Sequence, residues 1–289
     1  HLLAYFQMLQ RDGERFRDCL QRTDVLPLGS GALAGVPYEI DRGLLARELG
    51  FARLSDNSMD VVSDRDYLVE YMAHAALCMA HLSRLSEEIV LWSSQEFDFI
   101  RLDEAYVTGS SIMPQKRNPD FAELARAKSG RVYGHLMGIL TVLKGLPLTY
   151  NRDLQEDKPA LFDSFDTVQA SLELAVPLVE MTQLNRDSIE SQLHLGHLDA
   201  TNLMEYLIRQ DIPQRTAHHV TGQLVRIALD AGVTLSGLPL EKMQACHEQI
   251  DDSIYEVLGV ENAIRAFQSY GSTAPAQVQQ QVQNWQTQL

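Results

Sequence analysis

The sequence predicts an all-α protein: long central helices forming an oligomeric helical bundle, followed by a smaller C-terminal helical domain. Three observations carry that expectation. From Leu68 to about Trp92, apolar positions alternate spacings of four and three, the seam of a bundle helix. Tyr71, Cys78 and Leu85 extend the apolar surface beyond that stripe, so this helix needs more than one neighbour. From about Asn185 onward the elements shorten, and Pro213, Gly232, Gly237, Pro239 and Gly259 punctuate them densely. The boundary is placed there, giving a central bundle domain over 1–184 and a small helical domain over 185–289.

A first helix is expected from the start to about Arg22, with Leu2, Phe6, Leu9 and Phe16 on its apolar side. It begins without an initiator Met or a polar cap, which leaves orphan N–H groups, so a cleaved or truncated product is expected. The small-residue run from Pro27 to Gly35 follows. It lacks the lysine and the preceding strand of a phosphate-binding loop. Two readings stand for it: a flexible or closely packed connection, or backbone that lines a ligand cleft. The 68–92 helix buries Leu68, Met72, Ala75, Met79, Leu82, Ser86 and Ile89, with Asp64 or Asp66 as a cap.

A second long helix is expected from Pro119 to about Gly145, with Phe121, Leu124, Ala125, Val132, Leu136, Leu140 and Leu143 on its apolar side. Gly130, Gly134 and Gly138 recur on one face. Each costs a helix about 1 kcal/mol relative to Ala, which close helix–helix approach would offset. A third, about 160–182, presents Leu161, Phe165, Val168, Leu172, Val176 and Val179. The C-terminal helices are expected at about 199–210, 214–231 and 240–250. The glutamine-rich end keeps Val278, Val282, Trp285 and Leu289 at helical spacing and can dock as a last helix.

Composition narrows the function. The chain has 289 residues, with 24 Lys and Arg against 39 Asp and Glu and a net charge of −15. That field repels nucleic acid and anionic membrane, while leaving room for a local cationic pocket that takes an anionic substrate. No apolar run reaches the roughly 20 residues of a membrane span. Cys19, Cys78 and Cys246 are odd in number and far apart, the pattern of small thiols in a reducing compartment, so a cytoplasmic location is expected. His74 and His81 lie two turns apart, and His218 and His219 point in different directions, so neither pair is read as a metal site.

Chemistry concentrates in "GSSIMPQKRNPD", residues 109–120. Pro114 and Pro119 restrict its backbone and Gly109 relaxes it, as expected of a loop that closes over a ligand yet keeps a defined form. Asn118 is a good N-cap for the helix that follows, with Pro119 at N1. Lys116 supplies a cation, Asn118 an amide, and Ser110 and Ser111 hydroxyls, a donor set that suits a carboxylate gaining charge during reaction. A serine becomes a base only where donors and a nearby cation favour its alkoxide. A structural loop held by serine hydrogen bonds remains the other reading. In the polar run from Thr149 to Lys158, Tyr150, Gln155 and Lys158 offer a phenol, an amide and a cation. A solvated connection explains the same run, as surface ion pairing explains Asp64-Arg65-Asp66.

The run from Gly109 to Pro119 resembles the signature of the fumarase/aspartase superfamily, and the MPQK-N-PD wording with Glu123 resembles the argininosuccinate lyase and delta crystallin family. The segments from Asp24 to Gly35, from Ser63 to Asp66 and from Tyr150 to Lys158 resemble it too, so the likeness covers the whole chain. It implies reversible cleavage of argininosuccinate to arginine and fumarate, a step of arginine biosynthesis, without metal or organic cofactor. By the same resemblance Ser110 is the catalytic base and Lys116 stabilises the carbanion. Asn118, Tyr150, Gln155 and Lys158 bind substrate, with Arg65 and Ser111 as weaker candidates, and Glu123 supports the network. The resemblance implies a homotetramer whose active sites are shared between subunits. It also places a Thr-His motif and an Asn-rich segment upstream of His1, and His1 fills neither place, so the catalytic machinery is expected to be incomplete in this chain alone. Two alternatives remain: a catalytically silent, crystallin-like structural protein, or a sibling lyase acting on adenylosuccinate or aspartate.

Overall fold

The computed structural model describes residues 1–193 and 195–288. The chain divides into two compact units, His1–Leu184 and Asn185–Leu289.

In the first unit, α1 (Leu2–Thr23) leads to a two-residue strand, β1 (Val25–Leu26). There follow α2 (Arg42–Leu49), β2 (Arg53–Leu54) and the single turn α3 (Ser58–Val61). The long helix α4 (Asp66–Trp92) precedes β3 (Ile100–Arg101), β4 (Thr108–Gly109) and β5 (Arg117–Asn118). Two more long helices, α5 (Asp120–Leu143) and α6 (Asp157–Met181), precede β6 (Gln183–Leu184). The strands pair only in twos: β1 with β2 in parallel, β3 with β6 and β4 with β5 antiparallel.

Helix α4 is the axis of this unit. Every position expected in its seam is buried, from Leu68 to Ile89. Its middle packs Ala75, Met79 and Leu82 against Val132 of α5 and Val168 of α6. Its start meets the end of α5 through Leu68, Met72 and Ile139. Its end meets the start of α5 through Leu85, Ile89 and Ala122, so α4 and α5 run antiparallel. No side chain caps α4 at Arg65; Asp64 Oδ1 instead accepts from the Asp66 N–H at 2.7 Å. His81 is engaged in packing: its Nδ1 donates to buried Asp12 of α1 at 2.6 Å.

Helices α5 and α6 correct the sequence reading. The buried stripe of α5 is Ala122, Ala125, Ser129, Val132 and Ile139, while Leu124 and Leu140 face outward. On α6 the buried stripe is Ser164, Thr167, Val168, Ser171 and Leu178, whereas Phe165 and Val176 are exposed. Small residues fill the seam because three long helices approach closely there, which leaves the large apolar residues outside. A Cβ added at Gly130, Gly134 or Gly138 would meet nothing within 4 Å, so the close approach expected at these glycines does not occur within the chain.

The second unit comprises α7 (Arg186–Leu193), α8 (Ala200–Arg209), α9 (Gln214–Ala231), α10 (Leu240–Cys246), α11 (Val260–Arg265) and α12 (Pro275–Gln288). Helix α10 stops earlier than expected, at Cys246. Leu289, the last position spaced for α12, lies outside the described residues. One core of Leu203, Leu207, Leu224, Leu235, Met243, Ile250 and Ile254 holds this unit together.

Candidate active site

The run 109–120 is a hairpin. Thr108 pairs with Asn118 and Gly109 with Arg117, and Thr108 Oγ1 donates to the Asp120 carboxylate below the stem. Asn118 is therefore used in the ladder, and Pro119 takes the N-cap position one residue later than expected. The tip is tied locally. Ser110 Oγ accepts from the N–H groups of Ile112 at 3.2 Å and Met113 at 3.1 Å. The Lys116 N–H donates to Met113 O, and Arg117 Nη1 to Pro114 O at 2.9 Å. Ser111 and Lys116 are exposed, and Ile112 is 87% exposed, an apolar side chain at the tip with nothing over it. Among the described residues Lys116 forms no ion pair. Glu123 is exposed on the first turn of α5, and its N–H donates to Pro119 O.

A second group forms where α4 begins and α5 ends. A cleft of about 990 Å³ is lined by Arg65, Tyr67 and Tyr150 together with Pro27, Gly31, Ser55 and Asn57. The small-residue run lines the cleft through Pro27, Gly31 and Ala32 and is closely packed at Gly29 and Gly31, though most of it is exposed. The sequence reading found no strand before it, whereas β1 stands there, paired with β2 across the cleft wall. Arg42 staples that wall: its guanidinium donates to the carbonyls of Leu26, Leu28 and Ser55 and to Ser55 Oγ. Gly29 and Gly31 are required here. Both have positive φ, and a Cβ would stand 2.9 Å from Arg42 Cγ at the first and 2.5 Å from Gly35 O at the second.

Tyr150 reaches the cleft from a strained turn. Thr149, β-branched, has φ 75°, a conformation such residues rarely adopt. Asn151 Nδ2 holds the turn by donating to Pro147 O and Thr149 O. The 3-10 turn Arg152–Glu156 carries Gln155, which is exposed, and delivers Asp157 to the start of α6. Asp157 is 2% exposed. Its Oδ2 accepts from Arg65 Nε at 2.5 Å, and Lys158 Nζ donates to both its oxygens at 2.7 and 2.8 Å. Sequence reasoning missed Asp157, because nothing in a run of mixed charges marks which carboxylate is buried.

The candidates therefore fall into two groups: Ser110, Ser111, Lys116, Asn118 and Glu123 before and at the start of α5, and Arg65, Tyr150, Gln155 and Lys158 beyond its end. The 24 residues of α5 span about 36 Å at 1.5 Å per residue. The groups with large pKa shifts lie elsewhere. Burial pushes the Cys78 thiol and the Tyr71 phenol each up to about 12, which leaves them inert in the bundle core. Among the described residues, no group of three His, Cys, Asp or Glu could hold a metal.

A lyase family profile matches residues 1–134, and a profile of the argininosuccinate lyase C-terminal region matches residues 197–265. The argininosuccinate lyase of Rhodopirellula baltica is 53% identical over 99% of this chain and 62% of its own length. That of Moorella thermoacetica is 52% identical over 96% of this chain and 60% of its own. The chain thus spans about 60% of the length of these relatives. Among solved structures, an EDDS lyase variant with bound fumarate aligns with TM-score 0.86 at 26% identity, over 99% of this chain and 59% of that one. A class II fumarase from Schistosoma mansoni shares the fold, with TM-score 0.70 at 19% identity over 86% of this chain and 58% of that one.

Fold and sequence together match the fumarase/aspartase superfamily of lyases. Within it, the chain matches the argininosuccinate lyase family.

Proposed function

We propose that the protein cleaves argininosuccinate reversibly to arginine and fumarate, and that each active site is completed between copies of the chain. The observation that carries the chemistry is the environment of Ser110. Two backbone N–H groups already point at its Oγ, and Lys116, on the same hairpin, has no carboxylate partner among the described residues. Aligned donors and a nearby cation favour the alkoxide, the condition a serine must meet to act as a base.

In this reading Ser110 takes a proton from the carbon next to the one bearing the departing nitrogen. The electron pair spreads into the adjacent carboxylate, and Lys116 stabilises that charge. Collapse forms the double bond of fumarate and expels the guanidinium nitrogen, whose protonation falls to a group outside these residues. Asn118 and Ser111 serve as further donors from the hairpin, and Glu123 supports it. Tyr150, Gln155, Lys158 and Arg65 hold the remaining polar groups of the substrate.

An α5 of about 36 Å keeps the hairpin from meeting Tyr150 and Lys158 of its own chain, so a second copy must bring them together. Outward-facing Leu124, Met137, Leu140, Phe165 and Val176, with the open faces of Gly130, Gly134 and Gly138, support assembly through α5 and α6 into the homotetramer the family resemblance implies. Three free thiols support a cytoplasmic location, and no described helix is long and apolar enough to cross a membrane.

Ultraviolet detection of fumarate tests the reading. The whole enzyme should release fumarate from argininosuccinate, and Ser110→Ala should lower kcat by about 10²–10⁴-fold while calorimetry still detects substrate binding. Near-normal turnover by that variant removes Ser110 from the base role.

A further inference from the structure

Asp157 has no part in the proposed chemistry, yet it is almost fully buried and bonds two candidate substrate-binding cations, one of which, Arg65, lines the cleft. We infer that Asp157 is a positioning residue: it aims the Arg65 guanidinium and the Lys158 ammonium so that each keeps unused donors for a carboxylate of the substrate. The inference rests on the substrate assignment proposed above and deepens it.

Donor accounting supports this role. Arg65 carries five N–H donors in a rigid fork. Its Nε is committed to Asp157 Oδ2 and its Nη1 to Asp64 O at 2.6 Å, while among the described residues its Nη2 donates to nothing. Lys158 has three donors and gives two of them to Asp157, one to each oxygen. Both oxygens of Asp157 are thereby used, and both cations are held by one side of their donor sets.

The burial differs in a way that fits. The Arg65 side chain is largely enclosed and reaches the cleft only at its wall, whereas the Lys158 side chain is half exposed. A long cation in water samples many rotamers, and ordering it on binding has an entropic cost. A buried carboxylate that bonds both cations beforehand removes much of that cost, and its position between the starts of α4 and α6 fixes it to two helices of the bundle core. An ion pair serving only to join two helices would not require a neighbouring, half-exposed lysine to share the same two oxygens.

The test uses the whole enzyme carrying Asp157→Asn, a substitution of nearly equal volume. KM for argininosuccinate should rise about tenfold or more while kcat changes by less than about threefold, the pattern of lost uniform binding rather than lost chemistry. On an Arg65→Gln background, Asp157→Asn should add less than about twofold, because the two residues act as one unit. An unchanged KM, a loss confined to kcat, or effects that multiply independently would each overturn the inference. Should Asp157→Asn fail to fold, Arg65→Lys keeps the charge but deletes the Nε donor. It should raise KM by a similar factor, and an unchanged KM there overturns the inference equally. If the wild-type enzyme releases no fumarate from argininosuccinate, the functional reading falls and the question passes to calorimetry with fumarate and with arginine. Binding of either that weakens about tenfold in the variant sustains the positioning role; equal binding of both, or no binding to the wild type, removes it.

Discussion

The two units of the chain solve the same problem differently. The C-terminal unit closes a core of its own: Leu203, Leu207, Leu224, Leu235, Met243, Ile250 and Ile254 are fully buried, and each contributes roughly 1.5–3 kcal/mol by leaving water. The N-terminal unit fills the seams of α5 and α6 mostly with Ala, Ser, Thr and Val, with Ile139 and Leu178 the larger exceptions, and leaves Met137, Phe162, Phe165 and Val176 in solvent, the last 67% exposed. The C-terminal unit also leaves Leu195, Leu198, Leu229 and Tyr270 exposed, but around a closed core. The N-terminal bundle turns several large apolar side chains outward, which supports the assembly proposed above.

The comparison predicts effects of different size and kind. Leu224→Ala in the C-terminal core should cost about 2–5 kcal/mol in denaturant unfolding, since the cavity is fully enclosed. A cost below 1 kcal/mol would mean that this core is not self-sufficient. Gly134→Leu should leave helicity intact, because nothing in the chain obstructs the new side chain, yet abolish assembly in sedimentation. Gly134→Ala sharpens the point: it should stabilise a dissociated chain by up to about 1 kcal/mol through helix propensity while weakening its assembly. Val176→Ser should change the stability of a dissociated chain by no more than about 0.5 kcal/mol and lower its assembly affinity.

The smallest effect concerns pH. Burial raises the Asp163 pKa, but hydrogen bonds from Arg131 and His135 outweigh it and hold the carboxyl below the usual aspartate range. A lowered folded value means that this contribution is present above the unfolded pKa and is lost as pH falls through the folded one. Asp163→Asn should therefore cost less than about 1 kcal/mol near neutrality, and the difference from wild type should vanish in acid. A difference that grew on acidification would reverse the sign.

Much of this was legible in the sequence. Spacings of three and four located α4 residue by residue, and the dense punctuation after 185 marked where the elements shorten. The direction of α5 and α6 was not legible, because Leu124 and Phe165 satisfy a helical period on an outer face as well as on an inner one. Only contact shows that Ser129 and Ser164 take the seam. At the site, the quoted serines, lysine and asparagine drew attention through composition and family resemblance. The hairpin stem, the Arg42 staple and the burial of Asp157 depend on chain segments far apart in sequence, which periodicity does not register. The glycine row of α5 is read from its spacing alone, and nothing else among the described residues would meet a Cβ added there within 4 Å.

The claim that the two residue groups at opposite ends of α5 meet only between copies is tested most directly by mixing. The whole enzyme is prepared as Ser110→Ala and separately as Lys158→Met, each impaired alone, and the two are dissociated, combined and reassembled. Mixed assemblies contain sites that draw an intact hairpin from one copy and an intact Lys158 from another, so fumarate release should recover well above that of either variant. If the reassembled mixture is no more active than the variants kept apart, each chain builds its site alone and the account is wrong.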